Sequence, residues 1–345
     1  MEEHNRGATE KLNHPKSSDL PESDERFRIL SLDGGGVKGT FSAGFLAEIE
    51  QQTGRRIVDH FDLIAGTSTG GIIALALGLG IPAHDILQFY RTRGPEIFPA
   101  ASWATRGLLG LRHAFRSKHS PERLEASLRA VFGDRLIGES VTRLLIVSWD
   151  GVRSDVHLYK TAHSTRFKRD YKLTALEAAM ATSAAPTYLP AFRGANGVTF
   201  IDGGIWANCP AALSILEAIA ELNKTPDEID VLSIGTTTEP PRHVRTAQMT
   251  AGFLGWAPAM LALMLEAQVK GSLAQANLLT KHRMIRVNHV VGPGRFKLDD
   301  SRTVDDLAAL GAQEARHCEP KITETFFRSR ARPFVPCYRL QERDK

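Results

Sequence analysis

Short apolar runs recur along the chain between stretches of helical period, and that alternation sets the first expectation. "FRILSL" (Phe27–Leu32) reads as a strand that ends on Asp33, followed by a helix pattern over about 40–53. Phe61–Ala65 reads as a second strand, ending at Gly66, with an apolar helix over about 69–79. Ser120 and Pro121 supply an N-cap and a first-turn proline for a helix through Val131. Arg143–Trp149 is a third strand, and Thr174 with Glu177 forms a capping box that opens an alanine-rich helix. Val198–Ile201 and Val231–Ile234 are short strands with a helix over about 210–222 between them. The alternation predicts an α/β fold with a mainly parallel central sheet flanked by helices on both faces. No repeat or linker interrupts the pattern after residue 26, so residues 27–345 are expected to form one catalytic domain with helical additions at its C-terminal end. Residues 1–26 are polar with mixed charge, which predicts a disordered lead-in and not a signal peptide.

Two uncharged stretches raise the question of a membrane span. Leu63–Ala83 is broken by several glycines and Pro82, and a buried strand–turn–helix explains it better. Thr246–Leu265 is interrupted by Gly252, Gly255 and Pro258; it reads as a core helix, or functionally as a lipid-facing one. The composition, 42% hydrophobic and 24% charged over 345 residues, excludes a fibre, a disulfide scaffold and a mainly disordered protein. Lys plus Arg at 43 against Asp plus Glu at 39 is too even for a DNA or RNA binder, yet suits contact with an anionic surface. Cys209, Cys318 and Cys337 lack CxxC spacing and read as reduced thiols, which predicts a cytoplasmic location.

Reactive groups in open α/β sheets collect beyond the carboxyl ends of strands. Three such ends here are rich in glycine. Gly66-Thr67-Ser68-Thr69-Gly70 is a Gly-x-Ser-x-Gly turn between a strand and a helix, the setting of a nucleophile elbow. Asp33-Gly34-Gly35-Gly36-Val37-Lys38-Gly39 satisfies G-x-G-x-x-G, but the next strand lacks the acid that would hold a ribose, which disfavours a nucleotide oxidoreductase. It also lacks the Gly-Lys-Ser/Thr of a phosphate loop, leaving a bare loop at a helix N-terminus that offers N–H groups to a developing oxyanion. Asp202-Gly203-Gly204 ends a third strand with a carboxylate. A serine nucleophile needs a base. For a Ser–His–Asp triad the histidines after the elbow are His243, His282, His289 and His317, none in a glycine-rich strand end; Asp202 is the alternative base if burial raises its pKa.

These three motifs, in this order, resemble the patatin-like phospholipases, and "ATSAAPTYLP" (Ala181–Pro190) resembles the family's segment before its aspartate. The resemblance implies a three-layer fold and a Ser–Asp dyad, with Ser68 as nucleophile, Asp202 as base, and Gly34, Gly35, Gly36 and Lys38 forming the oxyanion hole. Asp33, Gly39, Gly66, Gly70, Gly203 and Gly204 complete the motifs, and Lys38 stands where the family often has arginine. No metal or organic cofactor is implied for catalysis. "FRILSLDGGGVKGTFSAGFLAEIE" and "RGPEIFP" further resemble bacterial phospholipase effectors of cyclic-oligonucleotide antiphage signalling. That likeness implies membrane phospholipids as substrate, a cyclic dinucleotide such as cyclic GMP-AMP as activator, a homo-oligomer, and a cytoplasmic protein peripheral at the inner membrane when active.

Between Glu96 and Glu122 no acidic residue occurs, and Trp103, Leu108, Leu109, Leu111 and Phe115 stand beside Arg106, Arg112, Arg116 and Lys118. That composition suits an interfacial segment, together with Phe253–Leu265, or a solvated basic loop. Arg166, Lys168 and Arg169 join it as candidates for a ligand's phosphates. The competing readings are a constitutive lipid acyl hydrolase and a non-catalytic cyclic-dinucleotide or membrane-binding module.

Overall fold

The computed structural model describes residues 26–99, 118–240 and 253–341. In chain order the elements are β1 (Phe27–Leu32), α1 (Gly39–Thr53), β2 (Leu63–Thr67), α2 (Thr69–Gly78), α3 (Ala83–Ile97) and α4 (Pro121–Phe132). They continue with β3 (Arg143–Asp150), β4 (Asp155–Lys160), α5 (Ala175–Thr182), β5 (Phe192–Arg193), β6 (Thr199–Asp202) and α6 (Gly204–Ala207). The last are α7 (Ala211–Leu222), β7 (Ile229–Ile234), α8 (Phe253–Leu279), β8 (Met284–Val287) and α9 (Val304–Phe326).

The strands form one sheet. β8, β7, β1, β2 and β3 lie side by side and all parallel. β4, β5 and β6 are antiparallel additions around β3, so the sheet is mixed but mostly parallel. Alternate residues of each strand feed two separate cores, as a period of two requires. Leu30, Leu32, Ile64 and Ile146 pack with Phe41, Phe45, Ile73 and Leu307 on one face. Ile29, Leu63, Leu145 and Val231 pack with Ala212, Ile215 and Ala276 of α7 and α8 on the other. β1 sits between β2 and β7 with every residue buried, so even its two polar residues, Arg28 and Ser31, lie out of water.

Two features close the molecule. α9 crosses α1 with almost no side chain between them: a Cβ on Gly311 would lie 2.1 Å from the Phe41 carbonyl oxygen, and one on Gly44 2.7 Å from that of Ala308. At the opposite end of the sheet, the buried Arg28 of β1 donates to the carbonyls of Phe326 (3.1 Å) and Ser329 (2.6 Å) and to the Ser329 hydroxyl. Arg55 donates to the Phe327 carbonyl at 2.7 Å. These bonds compensate guanidinium groups that would otherwise be stranded out of water.

Among the described residues no helix is long and apolar enough to cross a membrane. Leu63–Ala83 is instead β2, the elbow and α2, as expected, and β2 begins two residues later than predicted because Ile57–His60 is a 3-10 turn. Residues 1–25 of the lead-in, residues 100–117 and His243 lie outside the described residues, whereas Arg26 is described and donates to Asp230 at 2.8 Å. Gly311→Ala is expected to cost about 2–3 kcal/mol, because the methyl group meets backbone that cannot yield. Urea denaturation followed by circular dichroism measures it, and an unchanged midpoint would mean that the two helices part freely.

Candidate active site

β4 covers one edge of β3 over Leu145–Asp150. β2, paired with Arg143–Val147, and β6, paired with Ser148–Asp150, must share the other edge end to end. β2 arrives at Val147 through Thr67, and β6 arrives at Ser148 from the opposite direction through Asp202. Ser68, one residue beyond β2, therefore meets the last residue of β6.

The elbow is tight. Ser68 has φ 54° and ψ −123°, a conformation that strains any residue with a side chain and is held by its surroundings. A Cβ on Gly66 would lie 2.2 Å from the Gly70 carbonyl oxygen, and one on Gly70 2.3 Å from that of Leu32, so both positions must be bare. The Ser68 N–H donates to Thr182 Oγ1 at 2.9 Å, and that hydroxyl donates to the Val147 carbonyl at 2.5 Å. Ala184, just beyond α5, accepts the Asp202 N–H at 3.0 Å. The α5 end thus supports both sides of the site, a task for which only the Ala181–Pro190 likeness gave a sequence signal.

Ser68 is half-buried, and its hydroxyl lies near enough to the Asp202 carboxylate to favour the charged form. Asp202 accepts the Gly204 N–H at 2.7 Å. Burial pushes the Asp202 carboxyl up to about 6, and the Ser68 hydroxyl and the Gly204 N–H only partly oppose it. Gly203 presses against the Val147 carbonyl, and Gly39 opens α1 against Thr69.

The glycine loop passes directly beside Ser68: a Cβ on Gly34 would lie 3.2 Å from the Ser68 Cβ. The resemblance implies Gly34, Gly35, Gly36 and Lys38 for the oxyanion hole, and their N–H groups are used differently in the structure. The Gly34 N–H is committed to the Asn208 carbonyl (3.0 Å) and the Lys38 N–H to that of Gly35 (3.1 Å). The N–H groups of Gly35 and Gly36 have no acceptor among the described residues. Gly36 has φ +56°, and Leu298 closes in with its carbonyl oxygen 2.3 Å from where a Cβ would stand. Lys38 donates Nζ to the Thr237 carbonyl at 3.2 Å, and burial lowers its pKa, offset in part by Glu239. Asp33 is paired with Arg286 of β8, at 3.1 and 2.5 Å. Asn208 and Thr236 each donate to the Gly34 carbonyl at 3.3 Å. None of these partners lies in a motif, and sequence reasoning missed them. Cys209 is no rival nucleophile, since burial, with the charge of Asp33 second, pushes its thiol up to about 12.

Ser68 and Asp202 open onto a cavity of about 1380 Å³ walled by Phe89, Phe98, Leu124, Leu189, Leu273 and Phe296, with Lys118 and Lys297 also in its lining. No histidine lines it among the described residues. His289 instead binds Glu314 of α9 at 2.6 Å. Arg166 pairs with Glu221 at 2.5 Å, and neither it, Lys168 nor Arg169 lines the cavity. The backbone of Phe253–Leu265 is helical, and Leu263 and Leu265 reach the cavity wall. The described residues hold no cluster of metal-ligating side chains.

Residues 30–215 match the family model of the patatin-like phospholipases, and the chain belongs to that family. It is 33% identical over 288 residues to a cGAMP-activated phospholipase of Pseudomonas aeruginosa, an alignment covering 82% of each protein. It is 35% identical over 236 residues to a cGAMP-activated phospholipase of Escherichia coli, covering 64% of this chain and 65% of the other. Among solved structures, VipD from Legionella pneumophila aligns over 86% of this chain and 68% of its own, with TM-score 0.41 and 13% identity.

Thr182→Val removes the acceptor of the Ser68 N–H and the donor to Val147 in one step. The expected cost is about 2–4 kcal/mol in unfolding free energy, from two buried groups left unpaired. Denaturant titration checks it, and a loss below about 0.5 kcal/mol would mean that water replaces the hydroxyl.

Proposed function

We propose that the chain hydrolyses membrane phospholipids to lysophospholipid and free fatty acid through a Ser68–Asp202 dyad. The observation that carries this reading is a serine on a strained elbow brought beside a buried carboxylate at the wall of a large, mainly apolar cavity. Asp202 takes the Ser68 proton as Oγ attacks the ester carbonyl. The N–H groups of Gly35 and Gly36 receive the negative charge that forms on the carbonyl oxygen. As the tetrahedral intermediate collapses, Asp202 returns the proton to the departing alcohol, and an acyl-enzyme remains. Asp202 next takes a proton from water, the hydroxide attacks the acyl carbonyl, and Ser68 regains its proton as the fatty acid leaves.

The raised pKa of Asp202 serves both halves of that cycle. A carboxylate titrating at about 6 is mostly ionised at neutral pH, and its acid form still gives up a proton readily. Activity by this route rises as pH passes upward through about 6 and falls away below it, since the protonated carboxyl cannot act as a base.

Control by a cyclic dinucleotide is part of the proposal, supported by relatives named cGAMP-activated phospholipases. The chain then acts at the inner membrane surface as a homo-oligomer whose assembly or lipase rate responds to cyclic GMP-AMP. Catalysis itself calls on no metal or organic cofactor in this scheme.

Release of fatty acid from phosphatidylglycerol–phosphatidylethanolamine vesicles tests the whole reading, with and without cyclic GMP-AMP. Ser68→Ala and Asp202→Asn are each expected to lower the stimulated rate by about 10³-fold or more, comparable to losing a nucleophile or its base. An acid limb with a midpoint near pH 6 should appear in kcat/KM. A Ser68→Ala protein that still hydrolyses lipid would overturn the dyad; a wild-type rate indifferent to the nucleotide would overturn the switch.

A further inference from the structure

The glycine loop follows a buried carboxylate. Asp33 is 3% exposed, and the next residue, Gly34, lies against Ser68. A full negative charge so close behind the loop opposes the very charge that an acyl-transfer transition state develops there, and a water-poor surrounding amplifies the conflict. The sheet supplies a counter-charge from far along the chain. Arg286, on edge strand β8, meets both oxygens of Asp33 side by side at 3.1 and 2.5 Å. The Ser233 hydroxyl accepts from the same guanidinium at 2.7 Å and fixes its plane. The Asp33 N–H is held by the Ile234 carbonyl (3.0 Å), so side chain and backbone of this residue are both fastened to the β7–β8 side of the sheet. Further along the chain from β8, the Leu298 carbonyl accepts the Val37 N–H at 2.8 Å. The loop is thus anchored at both ends by chain that lies outside the matched stretch 30–215.

We propose that Arg286 is a positioning residue for the oxyanion hole: it neutralises Asp33 behind the glycine loop and fixes where the loop begins. This rests on the Ser68–Asp202 reading above. An ion pair of this kind is no simple aid to stability, because desolvating two charges offsets most of their attraction. Its advantage lies in the electrostatic field at the loop. The bidentate geometry matters too, since the planar fork of arginine sets a direction that the point charge of lysine does not.

The test uses the full chain and a water-soluble short-chain ester, so that membrane binding plays no part. Active sites are counted with a fluorophosphonate that labels Ser68, and kcat is expressed per labelled site. Arg286→Gln is expected to lower kcat per site about 10- to 100-fold with KM within twofold, the mark of an interaction felt in the transition state. Adding Asp33→Asn to Arg286→Gln removes both charges and should recover most of that loss. Ser233→Ala, which keeps the ion pair and frees only its plane, should lower kcat a few-fold. A purely structural role gives fewer labelled sites at normal kcat per site, and that result overturns the proposal. A double variant that melts like the wild type yet stays as slow as Arg286→Gln overturns it as well. If Arg286→Gln does not fold, Ser233→Ala and the double variant decide: wild-type kcat per site in the first, or no recovered turnover in the second, overturns it. Failure of the dyad reading looks different, since Ser68→Ala would then remain active while every Arg286 comparison loses its meaning.

Discussion

A carboxylate kept out of water beside a serine hydroxyl is the constraint on which the rest of this structure depends. Moving Asp202 from an ordinary carboxyl value of 3.8 to about 6 corresponds to roughly 3 kcal/mol of free energy set against the charged form. Because the folded value lies above the unfolded one, the penalty is absent below about pH 4 and fully present above about pH 6. The fold carries that penalty throughout the neutral range. It is sustained by a sheet buried on both faces and by the Gly204 N–H that Asp202 receives.

The placement follows from strand register. One edge of β3 is shared between two strands that arrive from opposite directions, and their ends deliver the hydroxyl and the carboxylate to a single point. Neither residue needs a long loop to reach the other. Parallel strands are customarily joined by crossovers that leave their carboxyl ends open to a ligand. Here the antiparallel β6 enters that open region and supplies the acid.

Much of this was legible in the chain. β1, β3 and β7 announced themselves as mainly apolar runs, and Thr174 capped α5 by accepting the Glu177 N–H. The other half of the expected capping box does not form, because the Glu177 carboxylate accepts the Ala195 N–H instead. β4 was not visible, because it lies at the sheet margin with Asp155 and Val156 exposed and shows no clean alternation. β8 is only four residues long and half-buried, too short for a periodic signal. α3 carries Pro95 near its end, which reads as a helix breaker. At the site, glycine spacing pointed to Ser68, the loop and Asp202. Thr182 fell in the Ala181–Pro190 likeness but its task did not show, and Asn208, Arg286 and the Leu298 carbonyl were hidden because they act across the fold, one of them as backbone that has no sequence signature. The partner of Asp33, Arg286, lies far along the chain, where no sequence neighbour points to it.

The buried arginine of the central strand has a consequence for how such an enzyme comes into being. The carbonyls that receive Arg28 belong to Phe326 and Ser329, the latter 301 positions further along. A nascent chain that has already emerged from the ribosome with Ser68 and Asp202 still lacks the acceptors that let β1 settle in the middle of the sheet. Residues through Ser329 must therefore be made before the central strand has its acceptors, so Ser68 and Asp202 leave the ribosome well ahead of the bonds that seat β1.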